Sequence, residues 1–202
     1  MTIFGASSST VFPSSNGLLT FNVGSTQYDA APLPDSRFAS AVIEPWFDDL
    51  YIYASRRSDA STTTSGSSPL YEGVYYSTTA TQLNVTYILS RAGTYESYIF
   101  SILYTTTMPG IFGVSYTATG GAGSLVADGG GTDATKSNDG ATAGIGVQAL
   151  NADGSYDAIQ WSYLQAGAVS KGYTITCDTV SSPPVCEGSD GRTVSGVVEY
   201  NK

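Results

Sequence analysis

Histidine does not occur anywhere in the 202 residues. Its absence removes the Ser-His-Asp and Cys-His nucleophilic arrangements and every metal site that needs an imidazole. Charge is scarce too. Only 12% of the residues are Asp, Glu, Lys or Arg, about half the usual share, so Ser, Thr, Gly, Asn and Tyr must carry the solvation. Of these charges 8 are basic and 17 acidic, a net of −9. Nucleic acid and anionic lipid both repel such a chain. The adjacent basic pair, Arg56 and Arg57, reads as a solvated loop pair. Long apolar runs are missing: none approaches the roughly 18 residues a spanning helix needs, so no membrane insertion is expected. The opening MTIFGASSST has neither the basic region nor the apolar run of a secretory leader, which for a secreted protein means a leader already removed.

Cysteine occurs twice, as Cys177 and Cys186, flanking DTVSSPPV. A pair this close around two prolines is expected to form a local disulfide, which places the chain in an oxidising compartment. The alternative is two free thiols in a cytosolic protein.

What is abundant is aromatic and small polar: 15 Tyr, 7 Phe, 2 Trp and 23 Gly. Helical periodicity is absent. The recurring signal is a period of two in short runs broken by Gly, Pro, Asn and Asp. In Leu83–Leu89 the side chains of Leu83, Val85, Tyr87 and Leu89 share one face, with Asn84 and Thr86 on the other. Tyr98–Tyr104 is apolar on both faces and so is expected to be a central strand. Ile111–Ala118, Ile145–Leu150, a run through Ile159, Trp161 and Tyr163, and runs through Tyr173, Ile175, Cys177 and through Val194, Val198, Tyr200 follow the same rule. Leu18–Val23, Leu50–Ala54 and Tyr71–Tyr76 precede them. Asn151–Gly154 is a hairpin signal, and TMPG at 107–110 a turn. The sum is an all-β, antiparallel sandwich or jelly-roll-like fold of about ten strands, one domain over residues 1–202. Residues 58–68 and 119–144, rich in Gly, Ser and Thr, read as long loops. GGAGSLV within the second is similar to a nonapeptide calcium repeat, except that Ser124 stands where that pattern has Asp.

The stretch EPWFDDLYIY, Glu44–Tyr53, concentrates chemistry that the rest of the chain lacks. Asp48 and Asp49 are neighbours, so on a regular strand they would face opposite ways and could act together only at a bend. Three readings stand. In the first, one Asp accepts backbone N–H groups in a turn before Leu50, and Trp46 and Phe47 pack. In the second, Asp48 and Asp49 hold Ca²⁺ with loop carbonyls, while Trp46 or a tyrosine such as Tyr51 stacks on a sugar. Adjacent aspartates serve this way in flocculin-type lectins, which the stretch resembles in that dipeptide alone. In the third, Glu44 with Asp48 or Asp49 forms a glycosidase pair. Tyr51, Tyr53 and Tyr75 are further candidates for a binding face. Asn84-Val85-Thr86 is an N-glycosylation acceptor on the polar face of its strand.

Several segments also occur in a telling order: STVFPSSNGLLTF (9–21), APLPDSRFASAVIEPWFDDL (31–50), GVYY (73–76), SYIFSILY (97–104), GIFGVSY (110–116) and AGIGVQ (143–148). This succession resembles the nidogen-like (NIDO) domain, in its secreted fungal form, over about residues 9–165, with 166–202 adding C-terminal strands and the disulfide loop. EPWF stands in place of that family's APFW, the Gln of one of its strands is missing at 99–101, and its earliest strands would lie before Met1. The resemblance implies an extracellular or cell-surface domain of adhesion or matrix proteins with no known enzymatic activity; the expected partner is an extracellular glycan or protein, or copies of the chain itself. Two other functions compete with it: a self-assembling subunit of a fibre or coat, which low charge and short β-runs favour, and a carbohydrate-active enzyme built on Glu44.

Overall fold

The computed structural model describes residues 1–53, 57–58, 71–91, 96–120, 125–126 and 138–196. Among them there is no helix, and so none long and apolar enough to cross a membrane. The strands are β1 (Thr2–Ile3), β2 (Ala6–Ser7), β3 (Val11–Ser14), β4 (Leu18–Phe21), β5 (Val42–Phe47), β6 (Leu50–Tyr51), β7 (Arg57–Ser58), β8 (Gly73–Thr78) and β9 (Gln82–Arg91). They continue as β10 (Ser97–Thr105), β11 (Ile111–Thr119), β12 (Leu125–Val126), β13 (Gly144–Leu150), β14 (Tyr156–Tyr163), β15 (Thr174–Asp178), β16 (Val185–Gly188) and β17 (Thr193–Ser195). All ladders are antiparallel, and β1 with β2 and β7 with β12 form separate two-stranded pairs.

An eight-stranded sheet runs β17-β16-β15-β11-β10-β9-β6, with β8 also paired to β9, and a five-stranded sheet runs β14-β13-β5-β4-β3. The period-two faces of the sequence are the faces that meet. Leu83, Val85, Tyr87 and Leu89 on β9, Phe100 and Ile102 on β10, and Phe112, Val114 and Tyr116 on β11 share one apolar cluster with Leu19, Phe21, Ile43, Trp46, Val147 and Trp161 of the other sheet. β10, apolar on both faces, is central, lying between β9 and β11. Rings pack directly: Tyr87 stacks on Phe100 at 4.8 Å, and Trp46 lies 4.8 Å from Tyr98 and 6.2 Å from Tyr116. Two tyrosines also reach across the core. Tyr87 OH donates to the Leu18 carbonyl and Tyr116 OH to the Pro45 carbonyl, both at 2.8 Å. At the β14 side, the Arg192 guanidinium lies 4.5 Å over the Trp161 ring and donates to the Trp161 carbonyl.

Within the two large sheets three strands are absent from the sequence reading, β3, β5 and β16, as are the short strands of both two-stranded pairs. β5 contains Pro45 and breaks the period of two, because its pairing with β13 is shifted between Gly144 and Gly146. Gly144 faces Phe47 and Gly146 faces Glu44, so β5 carries an extra residue at Pro45–Trp46. Such a bulge is one of the few places inside a sheet that tolerates proline, which has no N–H to give. A second shift, between Ile145 and Gly146 opposite β14, corrects another expectation. Ile159 and Trp161 enter the core, but Tyr163 does not share their face; its hydroxyl approaches Ala30 O instead. Val198 and Tyr200, residues 59–68 of the first expected loop, Ser124, Arg56 and the side chain of Arg57 lie outside the described residues.

Cys177 and Cys186 form the expected disulfide, directly opposite each other on β15 and β16 and buried in the core. Replacing both with Ala is expected to cost about 3 kcal/mol for so short a loop on the chain-entropy model. Urea unfolding of the double variant against the oxidised parent measures this. A loss below about 1 kcal/mol would show that the strand pairing alone sets that geometry in the unfolded chain as well.

The 20 residues between β4 and β5, numbers 22–41, contain no strand and fold back over the outer face of the five-stranded sheet. Phe38 and Ala30 pack there on Leu18, Val42 and Phe47. Two glutamines on the sheet hold this connection. Gln148 accepts the Asp35 N–H at 2.6 Å and donates to the Asp35 carbonyl at 2.9 Å, and Gln160 accepts the Leu33 N–H at 2.6 Å. Each replaces backbone pairing that a loop over a sheet face cannot otherwise find.

Candidate functional site

The bulge decides where the chemistry of EPWFDDLY goes. Because one residue is added, Ile43 and Trp46 both point into the core, three positions apart, while Phe47 joins the outer cluster. Trp46 is 0% exposed. It offers no ring face to a sugar; it is core, packed on Tyr98 and Tyr116. Glu44 is turned to the outer face and is likewise covered, 1% exposed, with Asp35 and Arg37 of the connection as its charged surroundings. Burial drives its carboxyl well above the usual carboxylate range, Asp35 adds to this, and Arg37 opposes it.

Asp48 and Asp49 follow β5 at a bend before β6. They do not share surroundings. Asp48 is 7% exposed. Its Oδ1 accepts the Asp49 N–H at 2.8 Å, its Oδ2 accepts the Thr142 hydroxyl, and Arg91 Nε lies 3.7 Å from Oδ2. Burial raises the Asp48 carboxyl; the hydrogen bonds from Thr142 and Asp49 and the Arg91 charge pull the other way. Both of its oxygens are thus engaged by the fold. Asp49 is exposed. Among the described residues no group of three or more His, Cys, Asp or Glu side chains is placed to hold a metal ion.

Asp49 opens onto a recess of about 430 Å³. Three segments build it. Ser15 and Asn16 come from the β3–β4 turn, Tyr28 from the 22–41 connection, and Asp49, Leu50, Tyr51 and Ile52 from the bend and β6. The turn is fixed by Gly17, whose N–H donates to Ser14 O and whose φ is +74°. Asn16 links the parts: its side-chain amide donates to Gln27 O at 2.8 Å, and its carbonyl accepts the Asp48 N–H. Tyr28 and Tyr51 are each 54% exposed, and Tyr53 lies 5.6 Å from Tyr51. The recess therefore presents aromatic faces, phenol hydroxyls and a carboxylate acceptor on a framework whose backbone is tied together. Asp49 and Tyr51 were legible in the sequence. Tyr28 and Asn16 were not, because each sits in a polar loop with no periodic neighbours.

The remaining candidates lie elsewhere. Glu44 does not line the recess, and the connection covers it, so the acid pair proposed with Asp48 or Asp49 has no common open surface on which to hold a glycosidic bond. Asn84 is half-buried on the outer face of the eight-stranded sheet, opposite Leu103 on β10 and Ser77 on β8. Thr86, two positions on, shares a hydrogen bond with Ser101. Tyr75, on β8, donates its hydroxyl to Tyr71 O, and Tyr76 beside it is 77% exposed. The Tyr53 N–H donates to Glu72. No protein-family model, curated protein or solved structure matches this chain.

Proposed function

We propose that the protein is a non-enzymatic extracellular recognition domain, a two-sheet antiparallel sandwich that binds a glycan in the recess between Tyr28 and Tyr51. One observation carries this: two half-exposed tyrosines and one free carboxylate, Asp49, line the same 430 Å³ recess. Sugars have apolar C–H faces and vicinal hydroxyls. A tyrosine ring covers the first at little entropic cost, and a carboxylate accepts from the second. The motif order that resembles nidogen-like domains and the buried disulfide support an extracellular setting. Calcium, where it takes part, would be held by Asp49 with recess carbonyls and ligand hydroxyls, because both Asp48 oxygens are already bonded.

A glycan array tests the reading. Binding is expected for the parent, with a loss of at least tenfold in Tyr51→Ala and in Asp49→Ala, and no change in Tyr76→Ala, which faces Val85 on β9, five positions from the Ser90 that faces Tyr51, and does not line the recess. Running the array with chelator separates the metal-assisted form from direct hydrogen bonding. Retention of full affinity in both recess variants would remove the recess from the function.

A further inference from the structure

We propose that the 22–41 connection is a pH-gated cover, closed while Glu44 carries its proton and released when Glu44 loses it, so that the Tyr28 wall of the recess is held in place on the acid side only. Glu44 is 1% exposed and neither carboxyl oxygen has a hydrogen-bond partner. Its Oε2 lies 3.2 Å from where a Cβ on Gly144 would sit, and Ala30 Cβ and Ala31 O lie 3.6 Å and 3.8 Å from the same point. The carboxyl is thus wedged between β13 and the underside of the connection. A side chain at 144 in place of glycine would crowd that space.

A carboxylate in such a place is not sustainable, whereas a neutral carboxyl costs far less. The charged groups that bear on it are Asp35 and Arg37, both from the connection. Arg37 is not free to compensate it. Its Nε and Nη2 bind both Asp35 oxygens at 2.6–3.0 Å, its Nη2 donates to Asp29 O and its Nη1 to Gln27 Oε1. The sheet side offers Gln148 and Gln160, whose amides are already bonded to Asp35, Leu33, Ile145 and Ser162. Ionisation therefore has one inexpensive outlet: the connection lifts and water reaches the carboxylate. What lifts carries Tyr28, and Asn16 loses its tie to Gln27.

The sign follows from proton counting. The covered state binds the Glu44 proton more tightly than the open state, where the group titrates near its ordinary value of 4.5. Opening therefore becomes easier as pH rises above that value, by up to about tenfold per pH unit, until the covered carboxyl itself ionises. Gating of the connection does not depend on what the recess binds; only its effect on the recess rests on the function proposed above.

Hydrogen exchange of the intact chain between pH 5 and 8, corrected for intrinsic base catalysis, tests this without any ligand. Amides of residues 25–40, including the bonded N–H groups of Leu33 and Asp35, are expected to lose protection as pH rises, while those of β10 do not. Glu44→Gln is expected to abolish that pH dependence. A carbon-NMR titration of the Glu44 carboxyl in the parent provides a second measure that needs no variant: its midpoint and the midpoint of the exchange change must coincide. Equal pH dependence in parent and Glu44→Gln overturns the proposal, as does a Glu44 carboxyl that titrates in the ordinary range while residues 25–40 stay protected. Asp48, also raised by burial, lies at the end of β5 against Thr142, so its titration would appear there rather than in 25–40.

Discussion

Gly17→Ala is expected to destabilise the protein by about 2–5 kcal/mol, a large part of the roughly 5–15 kcal/mol that holds a domain together. Two costs combine. The residue sits at φ +74°, where an alanine loses about 1–2 kcal/mol to the contact of Cβ with its own backbone. The added Cβ would also fall 1.9 Å from Trp46 O and 3.3 Å from the Phe100 ring. That carbonyl belongs to the β5 bulge and cannot move without disturbing the register with β13, so overpacking adds about 1–3 kcal/mol. Gly154 provides the comparison: its φ is +86° but nothing lies within 4 Å of a Cβ there, so Gly154→Ala carries the backbone cost alone, about 1–2 kcal/mol. Urea unfolding of both variants gives the difference. Equal losses would mean that the β3–β4 turn does not press on the bulge.

Trp46→Ala is expected to cost about 3–5 kcal/mol, the range for removing a large aromatic from a core. Trp46→Phe should cost well under half of that. The phenyl ring keeps most of the contact with Tyr98 and Tyr116, and it removes an indole N–H that is buried without a hydrogen-bond partner, a group whose desolvation opposes folding. The pair of variants separates a packing role from a ligand-facing one. If Trp46→Ala costs less than about 1 kcal/mol in stability yet abolishes glycan binding, the ring is a contact residue and its buried position is wrong. Loss of stability in Trp46→Ala with intact binding by Trp46→Phe is the outcome that the core placement requires.

Trp46 also shows where a sequence reading of this chain stops. The antiparallel all-β class, the faces of β9, β10 and β11 and the disulfide were legible because strict alternation and a close cysteine pair each have a direct physical meaning. β5 was not, because Pro45 reads as a break and the bulge that accommodates it erases the alternation. The same bulge inverts the expected roles around it. A tryptophan beside acids suggests a sugar platform, but one extra residue turns it inward and sends Glu44 to the opposite face. β16 is four residues long after two prolines and too short to show a period. The separation of Asp48 from Asp49 depends on Thr142 and Arg91, which lie 94 and 43 positions away from Asp48 and leave no local mark in the sequence. The recess was half visible: Asp49 and Tyr51 belong to one segment, whereas Tyr28 and Asn16 reach it through the folding of two others.

The two phenols that span the interior have a consequence beyond their own bond energies. Apolar layers attract each other without preferring any particular offset, and a greasy interface permits slippage. Tyr87 reaching Leu18 O and Tyr116 reaching Pro45 O supply what grease lacks, a pair of directional pins anchored on neighbouring strands of the smaller layer. Satisfied polar links of this kind select one arrangement among many that bury equal area. The alignment of one layer on the other is thus keyed by hydroxyl groups, and the loops gathered at its rim inherit their mutual spacing from those keys.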